Sequence, residues 1–123
     1  MGIDIYVSDT EIDQSFTGIG LPHVCLEDDM TDLIWKHRDI FKENIKIFLE
    51  LEPYDDMALS NKQIKELKLF AKDLLKEEKI SLIEKDFRKF NMNRDTYIEF
   101  ATKLVELCQL ALDTNKILVS EGD

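Results

Sequence analysis

Two histidines and two cysteines are the side chains best suited to metal chemistry in this chain. His23 and Cys25 lie two residues apart, and His37 and Cys108 could complete a set of the ligand types that zinc prefers. The spacing matches no common zinc pattern, and a second closely spaced pair is missing. We therefore expect no metal and no cofactor, with His23 exposed in a loop, Cys25 packed, the His37 ring extended toward solvent and Cys108 in the core.

Catalytic and phosphate-binding motifs give equally little support for an enzyme. Neither histidine adjoins a serine or cysteine in a recognised nucleophile setting, and the sequence contains no Gly-x-Ser-x-Gly. Gly18 and Gly20 form a Gly-x-Gly, but dinucleotide binding would require a third glycine and a helix directly after it. The pattern favours a protein without catalytic residues.

The acidic side chains are unevenly distributed along the chain. The net charge is −10, and the first 35 residues contain eight acids with no lysine or arginine, whereas residues 36–123 contain 18 acids and 16 basic residues. The eight acids are Asp4, Asp9, Glu11, Asp13, Glu27, Asp28, Asp29 and Asp32. Because unpaired carboxylates are rarely buried, this segment is expected to form a presented surface. Such a surface steers association with a cationic partner.

A second acidic cluster surrounds Tyr54, between two expected helices. Tyrosine beside carboxylates is typical of the energetic centre of a protein interface. The candidate partner-binding residues are Asp9, Glu11, Asp13, Glu27, Asp28, Asp29, Asp32, Glu50, Glu52, Tyr54, Asp55 and Asp56. The alternative is that these charges serve only solubility, which requires no partner.

Length and composition favour one folded, cytoplasmic domain. The chain has 123 residues, of which 44% are apolar, enough for a single hydrophobic core. Its two widely separated cysteines fit a reducing compartment, and it lacks an apolar run long enough to cross a bilayer. The negative charge argues against binding nucleic acid or anionic membranes.

Helical periodicity dominates after an N-terminal segment of irregular pattern. We expect a strand over residues 3–7, an acidic loop-rich segment to residue 30, and a helix over 31–51 capped by Thr31 or Asp29. A second helix should begin at Ser60, since Ser60 and Gln63 have the spacing of a capping box and Leu59 and Ile64 that of a hydrophobic staple. Its lysine ridge (Lys62, Lys65, Lys68, Lys72, Lys76 and Lys79) is read as a solvated face.

Two further helices and a last strand complete the expected elements. A third helix should cover residues 82–90, and Asn93 should cap a fourth helix over 95–113 that is apolar on more than half its circumference. That helix is expected at the centre of the fold, with Cys108 in its apolar stripe. Residues 117–119 could pair with residues 3–7. The result is one mainly α domain over 1–123: a compact bundle of about four helices over 31–116, with a short two-stranded ribbon formed by the N- and C-terminal segments.

Two sequence stretches are similar to small bacterial proteins encoded beside toxins. They are the opening Gly2-Ile3-Asp4-Ile5-Tyr6 and the closing series Phe100-Ala101, Leu107-Cys108, Ala111, Asn115-Lys116 and Gly122-Asp123. The compact, acidic format resembles the immunity proteins of contact-dependent inhibition and related polymorphic toxin systems. That resemblance implies a non-enzymatic protein that binds a cognate toxin, often a cationic nuclease domain, and occludes its active site or substrate groove.

The residues and the resemblance together lead to one functional expectation. We expect stoichiometric binding of a basic protein, such as a toxin nuclease domain, through the acidic side chains named above, and no binding of nucleic acid or membrane. A self-associating regulatory or structural helical domain without a toxin partner is one alternative. A small metal-dependent enzyme is the other. The sequence leaves the oligomeric state open.

Overall fold

The computed structural model describes residues 2–8, 23–51 and 56–122, and the structural statements that follow refer to them. Four strands are present: β1 (Ile3–Ser8), β2 (His23–Leu26), β3 (Asp56–Leu59) and β4 (Ile117–Gly122). The helices are α1 (Asp28–Lys36), α2 (Lys46–Glu50), α3 (Asn61–Leu74), α4 (Glu77–Ile83) and α5 (Arg94–Asp113), with a 3₁₀ helix (Glu84–Phe90) between the last two. In this described part, no helix combines the length and the apolar composition needed to cross a bilayer.

The strands form one antiparallel sheet in the order β2-β1-β4-β3. Ile5, in the middle of β1, pairs with Val24 on one side and Ser120 on the other. Alternate residues of β1 (Ile3, Ile5 and Val7) face the helices, as the twofold period of a strand requires. The expected pairing of the N- and C-terminal segments is therefore present, but it forms the middle of a larger sheet.

The mainly α prediction is wrong, because the four-stranded sheet makes this a mixed α/β fold. The two strands that the sequence analysis missed have only four residues each. So short a segment hardly shows a twofold period, and β3 includes Met57 and Ala58, of which alanine has low strand propensity. Both strands form because β1 and β4 offer edges to pair with.

Helix α5 lies at the centre of the fold, as predicted. It packs against α3 and also contacts β1, β2 and β4. Its side chains Tyr97, Ala101, Leu104 and Cys108 are fully buried. The side chain of Asn93 accepts a hydrogen bond from the Thr96 amide at 2.8 Å, which confirms the predicted N-cap.

The predicted helix over 31–51 is wrong, since the chain forms α1, a series of turns and then α2. Backbone amides in residues 38–44 bond to carbonyls three residues earlier, for example Ile40 to His37 at 2.9 Å. The apolar side chains of this stretch still pack on the core, with Leu33, Phe41 and Phe48 buried and Ile40 half-buried. The spacing of apolar residues therefore predicted burial correctly, but not one continuous helix. Glu27 is the N-cap of α1, without a side-chain cap, so the predicted caps Thr31 and Asp29 are also wrong.

The start of α3 follows the sequence prediction. The Gln63 amide donates to the Ser60 hydroxyl oxygen at 3.2 Å, and the Ser60 amide donates to the Gln63 side-chain oxygen at 2.9 Å. Leu59 and Ile64 are both buried beside this capping box. The predicted helix over 82–90 is wrong at its start, because α4 begins at Glu77 and a 3₁₀ helix follows it to Phe90. Its end is as predicted, since Asn91, whose φ is 52°, is the C-cap.

A buried carboxylate connects α3 to α4. Asp73 is 1% exposed, and its two oxygens lie 2.7 Å from the Lys79 Nζ and 3.1 Å from the Lys76 Nζ. Burial raises the pKa of the Asp73 carboxyl, but hydrogen bonds and charge from both lysines outweigh burial, so the net pKa is below its usual value. Next to it, the Tyr97 hydroxyl donates to the Leu74 carbonyl at 2.8 Å and ties α5 to the end of α3.

Replacing Ser60 with alanine should lower the free energy of unfolding by about 1 kcal/mol, because the Gln63 amide loses the hydroxyl oxygen that accepts its hydrogen bond. Chemical denaturation measures the change. Ser81→Ala, an exposed serine in α4, is the matched control and should leave stability almost unchanged. Equal stability of the two variants would contradict the role given to Ser60.

The Asp73 ion pairs should make stability depend on acid. Since the pKa of Asp73 is lower in the folded state, its contribution is complete above the unfolded-state pKa of about 3.9 and is lost as pH falls through the folded-state pKa. Asp73→Asn should cost about 2 kcal/mol at neutral pH and make acid unfolding less steep. Denaturant titrations at stepped pH measure both effects. Asp39→Asn, at an exposed position, should change neither, and an unaltered acid profile in Asp73→Asn would refute this assignment.

Candidate functional site

A groove of about 430 Å³ lies where β2, the start of α1 and the first half of α5 meet. We call it the α1–α5 groove. Its lining residues are His23, Val24, Cys25, Glu27, Asp29, Met30, Asn91, Met92, Thr96, Glu99, Phe100 and Lys103. The volume falls in the range of about 300–1,000 Å³ typical of ligand sites. The groove combines an acidic rim with apolar walls.

The acidic rim is supplied by α1 and α5. Glu27 and Asp29 come from the N-cap and first turn of α1, and Glu99 comes from the second turn of α5. All three are exposed. Carboxylates at the start of a helix interact favourably with its dipole, so Glu27 and Asp29 also stabilise the helix that holds them.

Glu99 forms an exposed ion pair with Lys103, which another cation could replace. Its carboxylate lies 2.8 Å from the Lys103 Nζ, one turn further along α5, and both side chains are more than half exposed. The hydrogen bond and the charge of Lys103 lower the pKa of Glu99, although partial desolvation opposes them. Such exposed pairs contribute little, so a stronger cation could displace Lys103 from Glu99.

Four apolar side chains form the walls of the groove, one of them Val24, which is buried in β2. Met30 is buried in α1, Phe100 is buried in α5, and Met92 is half-buried in the connection to α5. The Met92 amide donates to the Phe87 carbonyl at 2.8 Å, directly after the left-handed Asn91. The backbone conformation at Asn91 therefore fixes where Met92 enters the groove.

The predicted partner-binding residues fall in different places. Glu27 and Asp29 line the groove, while Asp28 and Asp32 are exposed on α1 nearby. Glu50 is exposed at the end of α2, and Asp56 is exposed at the start of β3. Because β3 and β2 are opposite edges of the sheet, three strand spacings or about 14 Å apart, the structure does not bring Asp56 to the groove. Asp9, Glu11, Asp13, Glu52, Tyr54 and Asp55 lie outside the described residues.

The side chains weighed as zinc ligands are not brought together. His23 and Cys25 line the groove from strand β2 and are exposed, so the expectations of a loop at His23 and of a packed Cys25 are wrong. Cys108 is in the core, where burial raises its pKa to about 12 against a small opposing effect of Lys68. Across residues 2–8, 23–51 and 56–122, no three His, Cys, Asp or Glu side chains converge as metal ligands would.

His37 forms a buried contact that the sequence analysis missed. Its Nε2 lies 2.9 Å from an Asp86 carboxylate oxygen, and both side chains are about nine-tenths buried, so the expectation of a solvent-directed ring is wrong. Burial raises the pKa of Asp86, but the charges of Lys36, Lys89 and His37 and a hydrogen bond from Lys89 bring it below its usual value. The contact joins the end of α1 to the 3₁₀ helix and so fixes the direction of α1.

Sequence reasoning also missed the contribution of α5 to the groove. Met92, Glu99 and Phe100 are distant in sequence from the acidic segment, and only the sheet brings them beside Glu27 and Asp29. The one local signal was the spacing of Glu99, Phe100 and Lys103, which places three groove residues on neighbouring positions of one helix face.

Comparison of the chain with protein families, with curated proteins and with solved structures gives no match. The similarity to immunity proteins therefore stays a prediction, and the α1–α5 groove is the basis for a functional proposal.

Proposed function

We propose that this protein acts without catalysis, by stoichiometric binding of a basic protein partner, in the manner of an immunity protein that neutralises a toxin nuclease domain. The observation that supports this most is the position of the exposed acids of α1 at the rim of a groove with methionine and phenylalanine walls. Carboxylates attract and orient a cationic partner, and apolar walls supply the contact area that retains it.

The charge on α1 favours a cationic partner over an anionic one. Glu27, Asp28, Asp29 and Asp32 are all exposed within two turns of chain, and the whole protein carries a net charge of −10. Charge of this density accelerates association with cationic surfaces, with a strong dependence on salt. A nuclease that must hold a phosphate backbone presents such a cationic surface.

The acidic surface is held in a fixed shape. Met30, Leu33 and Ile34 are buried on the opposite side of α1, and the His37–Asp86 contact holds its far end. Because the backbone of this helix is already fixed, binding need not order it, so less of the interaction energy is lost to entropy. Rigidity of this kind suits an inhibitor that must outcompete nucleic acid.

We also place this function in the cytoplasm. Cys25 and Cys108 are not joined by a disulfide, which suits a reducing compartment. An immunity protein would act there, where an incoming nuclease meets its substrate.

The direct test is inhibition of the protein encoded by the neighbouring gene, because the toxins of such systems are encoded beside their immunity proteins. Its nuclease activity on plasmid DNA and on total RNA is titrated with the purified chain. We expect activity to disappear at one equivalent, with a 1:1 complex by light scattering. Undiminished activity, with no complex even at low salt, would contradict the proposal.

Removing the charges of α1 should slow association. The triple variant Asp28→Asn, Asp29→Asn and Asp32→Asn should lower the association rate constant about tenfold at low salt, with a smaller effect at high salt. Stopped-flow kinetics with the neighbouring nuclease measures the rate.

The control removes the same charge at exposed acids elsewhere, with Asp39→Asn, Glu43→Gln and Glu106→Gln. Thermal unfolding of both triple variants verifies that each is folded, since the loss of acids at a helix start costs about 0.3–1 kcal/mol per site. If the two triple variants slow association equally, total charge and not the α1 surface determines the rate.

A further inference from the structure

We propose that the α1–α5 groove is the anchor site for a single arginine side chain of the basic partner. This inference rests on the proposed function and specifies the contact through which it would act. Three carboxylates (Glu27, Asp29 and Glu99) lie at the rim, and four apolar side chains (Val24, Met30, Met92 and Phe100) form the walls. An arginine side chain matches this arrangement, because it carries a terminal cation on an apolar stem.

The charge balance of the groove selects a cation. Its lining contains three carboxylates and one lysine, and that lysine, Lys103, is already engaged with Glu99. Asp28 and Asp32 add further negative charge on the same helix. A guanidinium entering the groove gains from all of these and can replace Lys103 at Glu99.

The geometry favours arginine over lysine. Carboxylates from two different helices line the groove, and a guanidinium offers five donors in a planar fork, whereas an ammonium acts as a point charge. Guanidinium is also more weakly hydrated, so it enters a groove with apolar walls at lower cost. Phe100 and the two methionines can contact the stem and the flat face of the cation.

The groove is formed before any ligand arrives. The Thr31 amide and hydroxyl both donate to the Glu27 carbonyl, at 3.0 and 3.1 Å, which holds the N-cap of α1. Asn93 caps α5 immediately below Thr96, which lines the groove. With its walls provided by two helix starts that hydrogen bonds hold in place and by a strand of the sheet, the site needs little ordering on binding.

The test uses methionine methyl NMR on the full chain with a short peptide as the probe. The peptide has acetylated and amidated ends and the sequence Gly-Leu-Arg-Leu-Gly, and it is titrated at low salt. Met30 and Met92 line the groove, while Met57 on β3, at the opposite edge of the sheet, serves as an internal control. We expect saturable shifts of Met30 and Met92 with none at Met57.

Two comparison peptides test separately the charge and the planar shape of the arginine side chain. Citrulline in place of arginine keeps the shape and removes the charge, and should abolish the shifts. Lysine keeps the charge and loses the fork, and should bind several-fold more weakly. Equal binding of the lysine peptide would overturn the assignment to arginine.

A pair of variants isolates the groove. Glu99→Gln should weaken the arginine peptide up to about fivefold, the effect expected of one exposed charge contact. Glu106→Gln removes the same charge on the same helix, about 10 Å further along its axis and outside the groove lining, and should have no effect. Both positions are exposed, so neither change should prevent folding.

Failure of the groove and failure of the proposed function give different results. If backbone amides of α1 shift while Met30 and Met92 do not, and Glu99→Gln binds normally, the arginine site is wrong and the acidic-surface function is retained. If neither the groove nor α1 responds to the peptide, and the neighbouring nuclease also remains uninhibited, both are wrong.

Discussion

The pairing of β1 with β4 is the constraint on which the rest of this structure depends. It joins segments from opposite ends of the sequence through a continuous register from Ile3–Gly122 to Ser8–Ile117. Closing so long a loop costs chain entropy, which the burial of Ile5, Val7, Leu118 and their neighbours must offset. Once formed, this central pair offers one edge to β2 and the other to β3, and its apolar face receives α5.

The α1–α5 groove is a consequence of that arrangement. β2 is positioned by β1, and α1 begins two residues after β2 ends, so the acids of α1 are carried to a fixed place beside α5. The apolar sides of α1 and α5 pack against the core, and Met30 and Phe100 lie where that core meets the groove. What remains at their junction is a rim of carboxylates above Met30, Met92 and Phe100, with a composition that suits a cation on an apolar stem. The site thus needs no metal ligand set and no nucleophile to have a specific chemistry.

An element of the fold could be predicted from the sequence when the residues that determine it lie close together in the chain. The caps at Ser60 and Asn93 and the extent of α5 were predictable, because each depends on side chains within a few residues of one another. The break after α1 was not predictable, since the spacing of apolar residues over 33–48 fits turns as well as a helix. β2 and β3 were missed because strands of four residues exist only through the partners beside them.

The residues of the candidate site also differ in whether local sequence could identify them. Charge asymmetry identified Glu27 and Asp29, which the structure places at the groove. The apolar walls and Glu99 depend on tertiary contacts with α5, and the His37–Asp86 contact depends on the 3₁₀ helix packing against α1. Sequence reasoning found the charge, therefore, but not the shape that would make the charge selective.

The most direct test of the central claim is carbodiimide labelling of carboxylates, read by mass spectrometry, in the protein alone and in the complex that we propose it forms with the product of the neighbouring gene. All the carboxylates compared are exposed in the described structure. The account predicts that Glu27, Asp29 and Glu99 become protected in the complex while Asp39 and Glu106 label as before. Protection confined to Glu50 and Asp56, or no protection in a complex that has formed, would contradict it.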